Sequence, residues 1–552
     1  MRILVEQQHY TDVDIHALLP AHFWQTVCKG EAFKTTQVGY YRNEDAVVLI
    51  LPKVFADRQN CVFGVPLTQI AQQESSEIIQ EPSAADFLYR YAMLVYRSLQ
   101  TYNQRKPDNE ITEEGDIAQI ISNVPHNEHT ELDIAISLYD FYKKNLDLLI
   151  LRPKERSGAA FTKVKWQRTI AKKMAFVTGQ NEVFYENAVT QQQERANEDD
   201  LLLIFYSVID YLSNEYGFPF KITQSYPFER IKRADFAHFA HRATQKIKQI
   251  RHRYFNDRLR KLANLLFLLF EKARASNRTK SEYVLCDNYH VVFEDMIDKL
   301  LSDEKADLTD LKNQQDGKII DHLFQYDALF DAEQVYYVGD SKYYQNAKNV
   351  TTQNIYKQHT YAKNIIQYHI DIFNNGKLPQ GLYYRDDLTE GYNITPNFFI
   401  QATIDYTNFA DDSANFKLEN TKPQANFHFP NRVFDHDSLL IQHFSVNFLY
   451  VLRSYTIANT HEITTFRTET QRSIRQQSVQ YYNDNYDFYT IQTLDNTQII
   501  QQFFKQLNGK IFRDAQQNLI LGLCKNADFV LENENILAAI SEKVVLKRFG
   551  CK

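Results

Sequence analysis

The chain has 552 residues and a formal net charge of -7, with 44% hydrophobic and 24% charged residues. These values are typical of a globular protein of about two to four domains, and they exclude a protein that coats nucleic acid over its whole surface. Its five cysteines form no CxxC pair, which argues against a zinc ribbon or a disulfide framework and favours a reducing compartment. The opening MRILVEQQHYTD soon turns polar, and no apolar run is long enough to span a bilayer, so we expect a cytoplasmic protein without a membrane segment.

The first part of the chain alternates strand and helix patterns. Alternating apolar residues predict short strands at Arg2–Val5, 36–41 and 46–51. Apolar residues at helical spacing predict helices at 84–101, 130–152 and 198–216, and a polar, acidic stretch predicts a surface loop at 103–127. Together they indicate a mixed α+β N-terminal domain over 1–128, for DNA recognition or partner binding, and a mainly helical middle region over 129–282.

The most basic part of the chain lies at 229–280, where Lys and Arg greatly outnumber Asp and Glu. Its apolar residues recur at helical spacing, which is typical of an antiparallel helical pair with a solvated charged face. The alternative is a basic helix beside a nucleic-acid groove. For that alternative the candidate DNA-binding residues are Lys246, Lys248, Arg251, Arg253, Arg258 and Arg260.

The stretch 335–342, VYYVGDSK, is an apolar run that ends abruptly in polar residues. Residues two apart on a strand share a face, so Asp340 and Lys342 lie side by side at the end of this strand. The run is apolar on both faces, which predicts a covered central strand. Gly339 is expected to let substrate or backbone approach closely. The alternative is a strand that merely ends in a polar turn.

A second predicted strand, within IIDHLF, carries Asp321 in an apolar setting. The midpoint between Asp321 and Asp340 is Asp331-Ala332, inside a predicted turn, so the two aspartates face each other if the strands form an antiparallel hairpin. Two carboxylates this close repel unless a cation lies between them, and their hard oxygens suit Mg²⁺ or Mn²⁺. Beside that metal, Lys342 would hold the attacking water or a phosphate oxygen.

Helices are predicted on both sides of this hairpin. Glu294 stands near the start of the helix at 291–301. In the helix at 352–369, Gln358 interrupts an apolar stripe, with Tyr361 beside it. Gln358 is either a core residue satisfied by the backbone or a group packed over the metal site.

This order of residues and elements resembles the PD-(D/E)xK nuclease superfamily. The resemblance implies an α/β, restriction-endonuclease-like core, in which helices flank a mixed sheet. The implied metal ligands are Asp321, Asp340 and Glu294, and the implied catalytic set adds Lys342, Gln358 and Tyr361. The chain departs from the superfamily pattern in two ways, because Ile320 replaces the proline and the spacing between Gln and Tyr is shorter than in the RecB-like motif.

The LlaJI-type restriction endonucleases, which are McrC-like, resemble this chain in longer motifs. These motifs are VGYYRNEDAVVLILPKVF, KWQRTI, VFYENAV, VFEDMIDKLL, VGDSKYY, NIYKQHTYA, NRVFDHDSLLI and SVNFLYVL. The resemblance implies the cleavage subunit of a restriction or antiviral defence system. Its partners would be double-stranded DNA, a McrB-like AAA+ GTPase and a DNA methyltransferase of the same system. The sequence contains no P-loop of the form GxxxxGK[ST], so nucleotide hydrolysis has to come from a partner.

These features place a nuclease core at 283–378 and an α/β C-terminal extension at 379–552. Within the extension, LLIQHFSVNFLYVLRSY predicts a helix at 439–455, and LILGL predicts a late strand.

We expect a Mg²⁺-dependent DNA endonuclease, and the alternative is a non-catalytic DNA-binding or assembly subunit that retains a nuclease fold. A hydrolase or a histidine-metal site is a third interpretation. Its candidate residues are His290, His322, His359, His369, Asp435, His436 and Asp437. These histidines lack HExxH or similar spacing, so core or surface histidines are expected instead.

Overall fold

The computed structural model of this protein describes most of the chain. The described residues are 1–11, 13–27, 32–43, 46–62, 64–73, 82–106, 112–115, 131–146, 151–157, 163–195, 200–216, 228–276, 281–302, 312, 320–330, 334–345, 351–374, 382, 385–406, 408, 413–419, 423–425, 429–456, 460–492 and 496–551. Among the helices in these ranges, none combines the length and the apolar character needed to cross a bilayer. The predicted α/β class is confirmed, because mixed sheets are flanked by helices.

The N-terminal region is built on strands with buried apolar residues. Its elements are β1 (Arg2–Val5), α1 (Ile15–Leu18), β2 (Gln25–Val27), β3 (Ala32–Lys34), β4 (Gln37–Asn43), β5 (Val47–Leu51), β6 (Cys61–Val62), β7 (Val65–Pro66), α2 (Leu67–Gln72), α3 (Pro82–Arg105) and β8 (Thr112–Gly115). β4 and β5 form an antiparallel hairpin, and β1 pairs in parallel with β5. All five residues of β5, VVLIL, are buried, as a strand covered on both faces requires. Within the loop predicted at 103–127, the described residues 112–115 form the strand β8.

In its described residues, the middle region contains four longer helices and two small sheets. Its elements are α4 (Glu131–Lys144), β9 (Leu151–Ser157), β10 (Lys163–Val164), α5 (Trp166–Lys172), β11 (Phe176–Val177), β12 (Val183–Phe184), β13 (Val189–Arg195), α6 (Asp200–Tyr216), α7 (Phe236–Ile250) and α8 (Asp257–Ser276). The helices α4, α6, α7 and α8 pack as a bundle, and β13 pairs with both β9 and β10. The helix predicted at 130–152 is shorter than expected, since it ends at Lys144 and the strand β9 begins at Leu151.

Two ion pairs fix the direction of α7 against α6. Near the end of α6, Glu215 Oε1 lies 3.3 Å from Arg233 Nε, just before α7 begins. At the start of α6, Asp200 Oδ2 lies 3.3 Å from Lys246 Nζ, near the end of α7. The two helices are therefore antiparallel, and the turn between α7 and α8 lies where α6 begins. We call residues 246–260 the bundle tip, which is separated from the other end of α6, a helix of 17 residues, by about 25 Å.

The next part of the chain returns to the N-terminal sheet and then builds a second sheet. Its elements are β14 (Ser281–Asp287), α9 (Tyr289–Leu301), β15 (His322–Asp327), β16 (Gln334–Lys342), α10 (Thr352–Asn374), β17 (Pro396–Thr403), β18 (Phe416–Leu418), β19 (Gln424–Ala425), β20 (Leu440–Asn447), α11 (Phe448–Thr456) and α12 (Thr460–Asn485). β14 lies between β4 and β8, giving the N-terminal sheet the order β1-β5-β4-β14-β8. Because α8 leads into β14, this sheet lies at the end of the bundle opposite the tip.

The second sheet has the order β15-β16-β17-β20-β18, with β19 also paired to β20. β15 runs antiparallel to β16, whereas β16, β17 and β20 are mutually parallel. α9 and α10 both pack on β16, whose residues from Val335 to Lys342 are all buried. β16 is therefore the covered central strand that the sequence predicts. The sheet takes its strands from both sides of the boundary predicted at residues 378 and 379.

The helix predicted at 439–455 is wrong in its first half. Residues Leu440–Asn447 form the strand β20, and the helix α11 begins only at Phe448. β20 is paired on both edges, and its second half, HFSVN, alternates polar and apolar residues as a strand does. The short apolar run at 439–441, before this alternation, fits a strand and a helix equally well, and the helical pattern that begins at Phe448 follows without a break.

The C-terminal region forms a separate antiparallel sheet. Its elements are β21 (Tyr486–Gln492), α13 (Asn496–Leu507), β22 (Ile511–Arg513), β23 (Leu519–Cys524), α14 (Val530–Ser541) and β24 (Val545–Phe549). The sheet has the order β22-β23-β21-β24, and β23 confirms the late strand predicted from LILGL. One apolar core runs from the N-terminal sheet through the bundle to the second sheet, while two further cores support the C-terminal sheet.

Candidate active site

The hairpin of β15 and β16 brings the two predicted aspartates together. His322 pairs with Gly339 and Leu323 pairs with Val338, so the next pair outward in this register is Asp321 with Asp340. The predicted antiparallel hairpin is thus confirmed, although its turn at Asp331-Ala332 lies outside the described residues. The two carboxylates stand at the open end of the hairpin, where β15 begins and β16 ends.

Asp340 is held between two ammonium groups. Asp340 is 2% exposed, and Lys342 Nζ forms an ion pair with its Oδ2. The Lys342 side chain is itself 9% exposed and lies over the ring of Phe399, with 5.2 Å between Nζ and the ring centroid. On the other side, Lys357 Nζ lies 3.8 Å from Asp340 Oδ1. Lys342 is therefore a buried counter-ion of Asp340, as their predicted position on one strand face requires.

Asp321 and Glu294 lie close enough to Asp340 for the charges of the three carboxylates to interact. The backbone N–H of Ser341 donates to Asp321 Oδ2 over 3.0 Å, which holds Asp321 against β16. Burial, and then the nearby charges of Asp340 and Glu294, raise the pKa of Asp321 well above its usual value. Burial, followed by the charge of Asp340, raises the pKa of Glu294 to about 7. The three carboxylates disfavour one another's charges, so an added cation would stabilise their ionised forms.

The donor set fits an open metal site better than a closed one. Oδ2 of Asp340 is buried and accepts no hydrogen bond from the described residues, although the Lys342 ammonium lies beside it. The described side chains include no group of three or more His, Cys, Asp or Glu arranged to hold a metal ion by themselves. Mg²⁺ commonly takes one or two carboxylates and completes its octahedron with waters and substrate phosphate. Asp321 and Asp340 match that requirement.

Gln358 fastens α10 to the strands of the site. Its Nε2 donates to Val338 O over 2.8 Å and to Asn397 Oδ1 over 3.2 Å. The amide nitrogen is thus satisfied by the backbone of β16 and by a side chain of β17, which is the structural role left open by the sequence. Its Oε1 is buried and accepts no hydrogen bond from the described residues. Tyr361, one turn further along α10, is 1% exposed.

Lys357 is a site residue that the sequence analysis missed. It precedes Gln358 and lies four residues before Tyr361, so it shares the face of α10 that carries Tyr361. Its Nζ lies 5.2 Å from the centroid of the Tyr361 ring. Burial lowers the pKa of Lys357, but the Tyr361 hydroxyl and the carboxylates of Asp340 and Asp321 raise it, and the net shift is upward. The helical spacing to Tyr361 is the sequence signal that could have identified it.

A buried polar cluster around His322, which the sequence analysis expected to be a core or surface histidine, lies on the opposite face of the hairpin. His322 is fully buried, with its Nε2 2.5 Å from Ser341 Oγ and its Nδ1 3.7 Å from Asp298 Oδ1 on α9. Lys312 Nζ donates to the same Asp298 oxygen over 2.5 Å. Burial lowers the pKa of His322, which keeps the imidazole neutral. Because Ser341 also donates its N–H to Asp321, this cluster holds the strand from behind the carboxylates.

The six basic residues predicted to bind DNA do not join this site. Lys246, Lys248, Arg251, Arg258 and Arg260 are exposed on the bundle tip, and the side chain of Arg253 lies outside the described part of the structure. The carboxylates lie at the other end, since Tyr343, next to Lys342, donates to Glu6 Oε2 of the N-terminal region over 2.6 Å. The structure thus groups the six predicted nuclease residues around the end of β16 and places the basic residues about one bundle length away.

Comparison with known proteins gives distant structural neighbours only. No family model and no curated protein sequence matches the chain. A half-complex of Thermococcus gammatolerans McrB AAA+ hexamers with bound McrC has 12% identity and a TM-score of 0.27, and the match covers 82% of this chain and 86% of that chain. A cryo-EM structure of the McrBC complex from the same organism has 11% identity and a TM-score of 0.19, with 55% of this chain and 89% of that chain covered. Because both TM-scores lie far below 0.5, the function of this chain has to be inferred from its own site.

Proposed function

We propose that this protein is a Mg²⁺- or Mn²⁺-dependent DNA endonuclease that hydrolyses phosphodiester bonds. The observation that carries the proposal is the pairing of Asp321 with Asp340 at the open end of a buried hairpin, with Lys342 held against Asp340. Asp340 lies close enough to Glu294 to help raise the pKa of Glu294 to about 7. Carboxylates assembled at such a cost in repulsion are typical of a metal-dependent site.

The residues of the site have distinct roles in this proposal. Asp321 and Asp340 would hold the metal ion, with Glu294, the third predicted ligand, beside them; the metal would supply an acidified water and stabilise negative charge on the phosphate. Lys342 neutralises Asp340 and orients the attacking water beside it. Gln358 keeps α10 fixed on β16 and β17, and Tyr361 packs on the same side, so the helix and the hairpin remain in one arrangement.

The order of these elements supports assignment to the PD-(D/E)xK superfamily. Glu294 lies on the preceding helix α9, Asp321 begins β15, Asp340 and Lys342 end β16, and Gln358 lies on the following helix α10. The longer motifs that resemble LlaJI-type, McrC-like endonucleases support a role as the cleavage subunit of a restriction or antiviral defence system. In such a system a McrB-like AAA+ GTPase would move the DNA and a DNA methyltransferase would mark the host sequence.

Cleavage of DNA by matched variants tests the proposal. Plasmid and linear duplex DNA are incubated with the purified chain in Mg²⁺, alone and with a candidate AAA+ GTPase partner. We expect Asp340→Asn to lower the cleavage rate by about 1,000-fold or more, because it weakens the metal site and its charge stabilisation. Asp528→Asn, which changes an exposed aspartate of the C-terminal region, should leave the rate unchanged. Equal cleavage by wild-type protein and Asp340→Asn would overturn the proposal.

The second candidate function is a DNA-binding or assembly subunit without catalysis. The observation that favours it is the exposed basic surface of the bundle tip, which is separated from the carboxylates. Calorimetric titration with Mg²⁺ or Ca²⁺ distinguishes the two functions. Metal binding that is lost in Asp321→Asn supports the nuclease, whereas DNA binding without any metal binding supports the assembly subunit.

A further inference from the structure

Two lysines neutralise Asp340, and their surroundings differ. Lys342 lies on β16 with a side chain that is 9% exposed, and its ammonium contacts Oδ2. Lys357 lies on α10 with a side chain that is 45% exposed, and its ammonium faces Oδ1 over 3.8 Å. The same carboxylate therefore has an inner cation and an outer cation. The outer cation is the one that a molecule arriving from solvent meets first.

The position of Lys357 is fixed although its side chain is half open. The next residue, Gln358, donates to Val338 O on β16 and to Asn397 Oδ1 on β17, which holds this turn of α10 against the strands. The ring of the buried Tyr361 lies beside the Lys357 ammonium, at 5.2 Å from Nζ to the ring centroid. These contacts hold the Lys357 ammonium beside the carboxylates.

An ammonium in this position has hydrogen-bonding capacity left over. A lysine carries three N–H donors, and its two neighbours here, the Tyr361 hydroxyl and Asp340 Oδ1 at 3.8 Å, do not use them all. Lysine binds phosphate as a compact point charge. Lys342 is less suited to this task, because contact with an incoming phosphate would require it to leave the buried pair with Asp340.

We propose that Lys357 contacts the scissile phosphate of DNA and is a catalytic residue of this site. The inference rests on the nuclease function proposed above. Lys357 donates to a non-bridging oxygen of the phosphate, on the solvent side of Asp340, while Lys342 remains inside as the counter-ion. The two lysines thereby divide the tasks of binding substrate and holding the carboxylate.

Binding of DNA without metal gives a test that does not depend on cleavage. Fluorescence anisotropy of a labelled duplex is measured over a range of salt concentrations for wild type, Lys357→Met and Lys357→Arg. Loss of one phosphate contact should lower the slope of log affinity against log salt by about 0.9 in Lys357→Met, and Lys357→Arg should keep the wild-type slope. Lys363→Met is the matched control, since Lys363 lies on the same helix with a 43% exposed side chain paired to Asp437.

Cleavage kinetics in Mg²⁺ provide the second measurement. We expect Lys357→Met to lower kcat/KM by about 100-fold, the typical cost of removing one donor to the reacting group. Lys357→Arg should recover part of this loss, and Lys363→Met should behave as wild type. Thermal unfolding of each variant identifies any that fails to fold, and Lys357→Gln then replaces Lys357→Met.

The possible outcomes separate the two proposals. A Lys357→Met protein that is folded and keeps the wild-type salt slope and cleavage rate overturns the role of Lys357. A change that appears equally in Lys363→Met also overturns it, because the effect would then belong to the charge of the helix. A wild-type chain that cleaves no DNA under any condition, with or without a partner, overturns the nuclease function, while the binding measurement still decides whether Lys357 contacts phosphate.

Discussion

At the end of β16 the ionisable groups are packed into a mostly buried cluster, whereas the bundle tip carries its charges in the open. Asp340 is 2% exposed there, and its carboxylate is matched by ammonium groups fixed on two different elements. On the tip the basic residues are exposed, and Phe255 between them is 89% exposed. Buried charges constrain geometry because each needs a partner, while exposed charges act mainly through their sum. The first arrangement suits chemistry, and the second suits recognition of a charged partner.

Among the tests of this comparison, the largest effect is expected from mutating the bundle tip alone. Replacing Lys248, Arg251 and Arg258 by Ala should lower DNA affinity by about 10- to 100-fold at moderate salt. If all three residues contact phosphates, the slope of log affinity against log salt should also fall by about 2.7. The metal-binding enthalpy of the carboxylate site should not change. DNA-binding anisotropy and metal titration check the two parts of this expectation.

A control removes the same amount of charge elsewhere. Lys505, Lys543 and Lys547 are exposed lysines of the C-terminal region, and their replacement by Ala should leave DNA affinity within about twofold of wild type. If both triple variants lose affinity equally, the tip has no special role and the comparison between the two ends fails. If neither loses affinity, DNA is bound elsewhere on the chain.

A smaller effect is expected from the packing behind the carboxylates. A Cβ on Gly339 would overlap the ring of Phe398 on the neighbouring strand β17. The missing side chain at Gly339 therefore makes room for Phe398, which corrects the expectation that it admits substrate. Gly339→Ala should lower the free energy of unfolding by about 1–3 kcal/mol and reduce cleavage through the displaced Asp340.

Gly179 offers the matched control for this substitution. A Cβ there would meet no atom within 4 Å. Gly179→Ala should therefore be neutral or slightly stabilising, by less than about 1 kcal/mol. Denaturant unfolding of both variants gives the comparison, and an unchanged midpoint for Gly339→Ala would contradict the proposed overlap with Phe398.

The smallest expected effect is a dependence of stability on pH. Since the pKa of Glu294 is raised from 4.5 to about 7 in the folded protein, the fold binds this proton more tightly than the unfolded chain does. The corresponding stability is present below pH 4.5 and is lost as the pH rises through 7. Without metal, Glu294→Gln should therefore be more stable than wild type at pH 8.5, by on the order of 1 kcal/mol, and the gain should shrink toward pH 5.

Thermal unfolding at pH 5 and pH 8.5 measures the difference in stability between Glu294→Gln and wild type. Glu542→Gln changes an exposed carboxylate and should show no such pH dependence relative to wild type. Added Mg²⁺ should stabilise wild type at pH 8.5 more than it stabilises Glu294→Gln. If Glu294→Gln gained the same stability at both pH values, charge repulsion between Glu294 and Asp340 would not be the cause of the gain.

The hairpin was predictable because its determinants are local. When two antiparallel strands are joined by a short turn, residues equally distant from the turn face each other. The pairing of Asp321 with Asp340 follows from their equal distances to the turn. The helix α10 and its neighbour α9 were predictable for the same reason, since their apolar residues recur at helical spacing. The confirmed elements around the candidate site are those that one continuous segment specifies.

The remaining parts depend on distant segments. β14 joins the N-terminal sheet, and β20 joins the sheet of β16, through hydrogen bonds that no local pattern reveals. The place of Lys357 beside Asp340 likewise depends on how α10 docks onto β16. From the sequence alone, a lysine next to a buried glutamine is expected to lie on the solvated face of the helix.

The parallel pairing of β16 with β17 also determines when the site can exist during synthesis. Chains emerge from the ribosome from their N-terminus onward, and β17 begins at Pro396, more than fifty residues after Asp340. Until that strand arrives, β16 is an uncovered sheet edge, and Phe398 is not yet in place against Gly339. A nascent chain that ends at residue 378 contains Glu294, Asp321 and Asp340, but it lacks β17, the strand that pairs with β16. The covered form of β16 therefore cannot exist until nearly three quarters of the protein has been made.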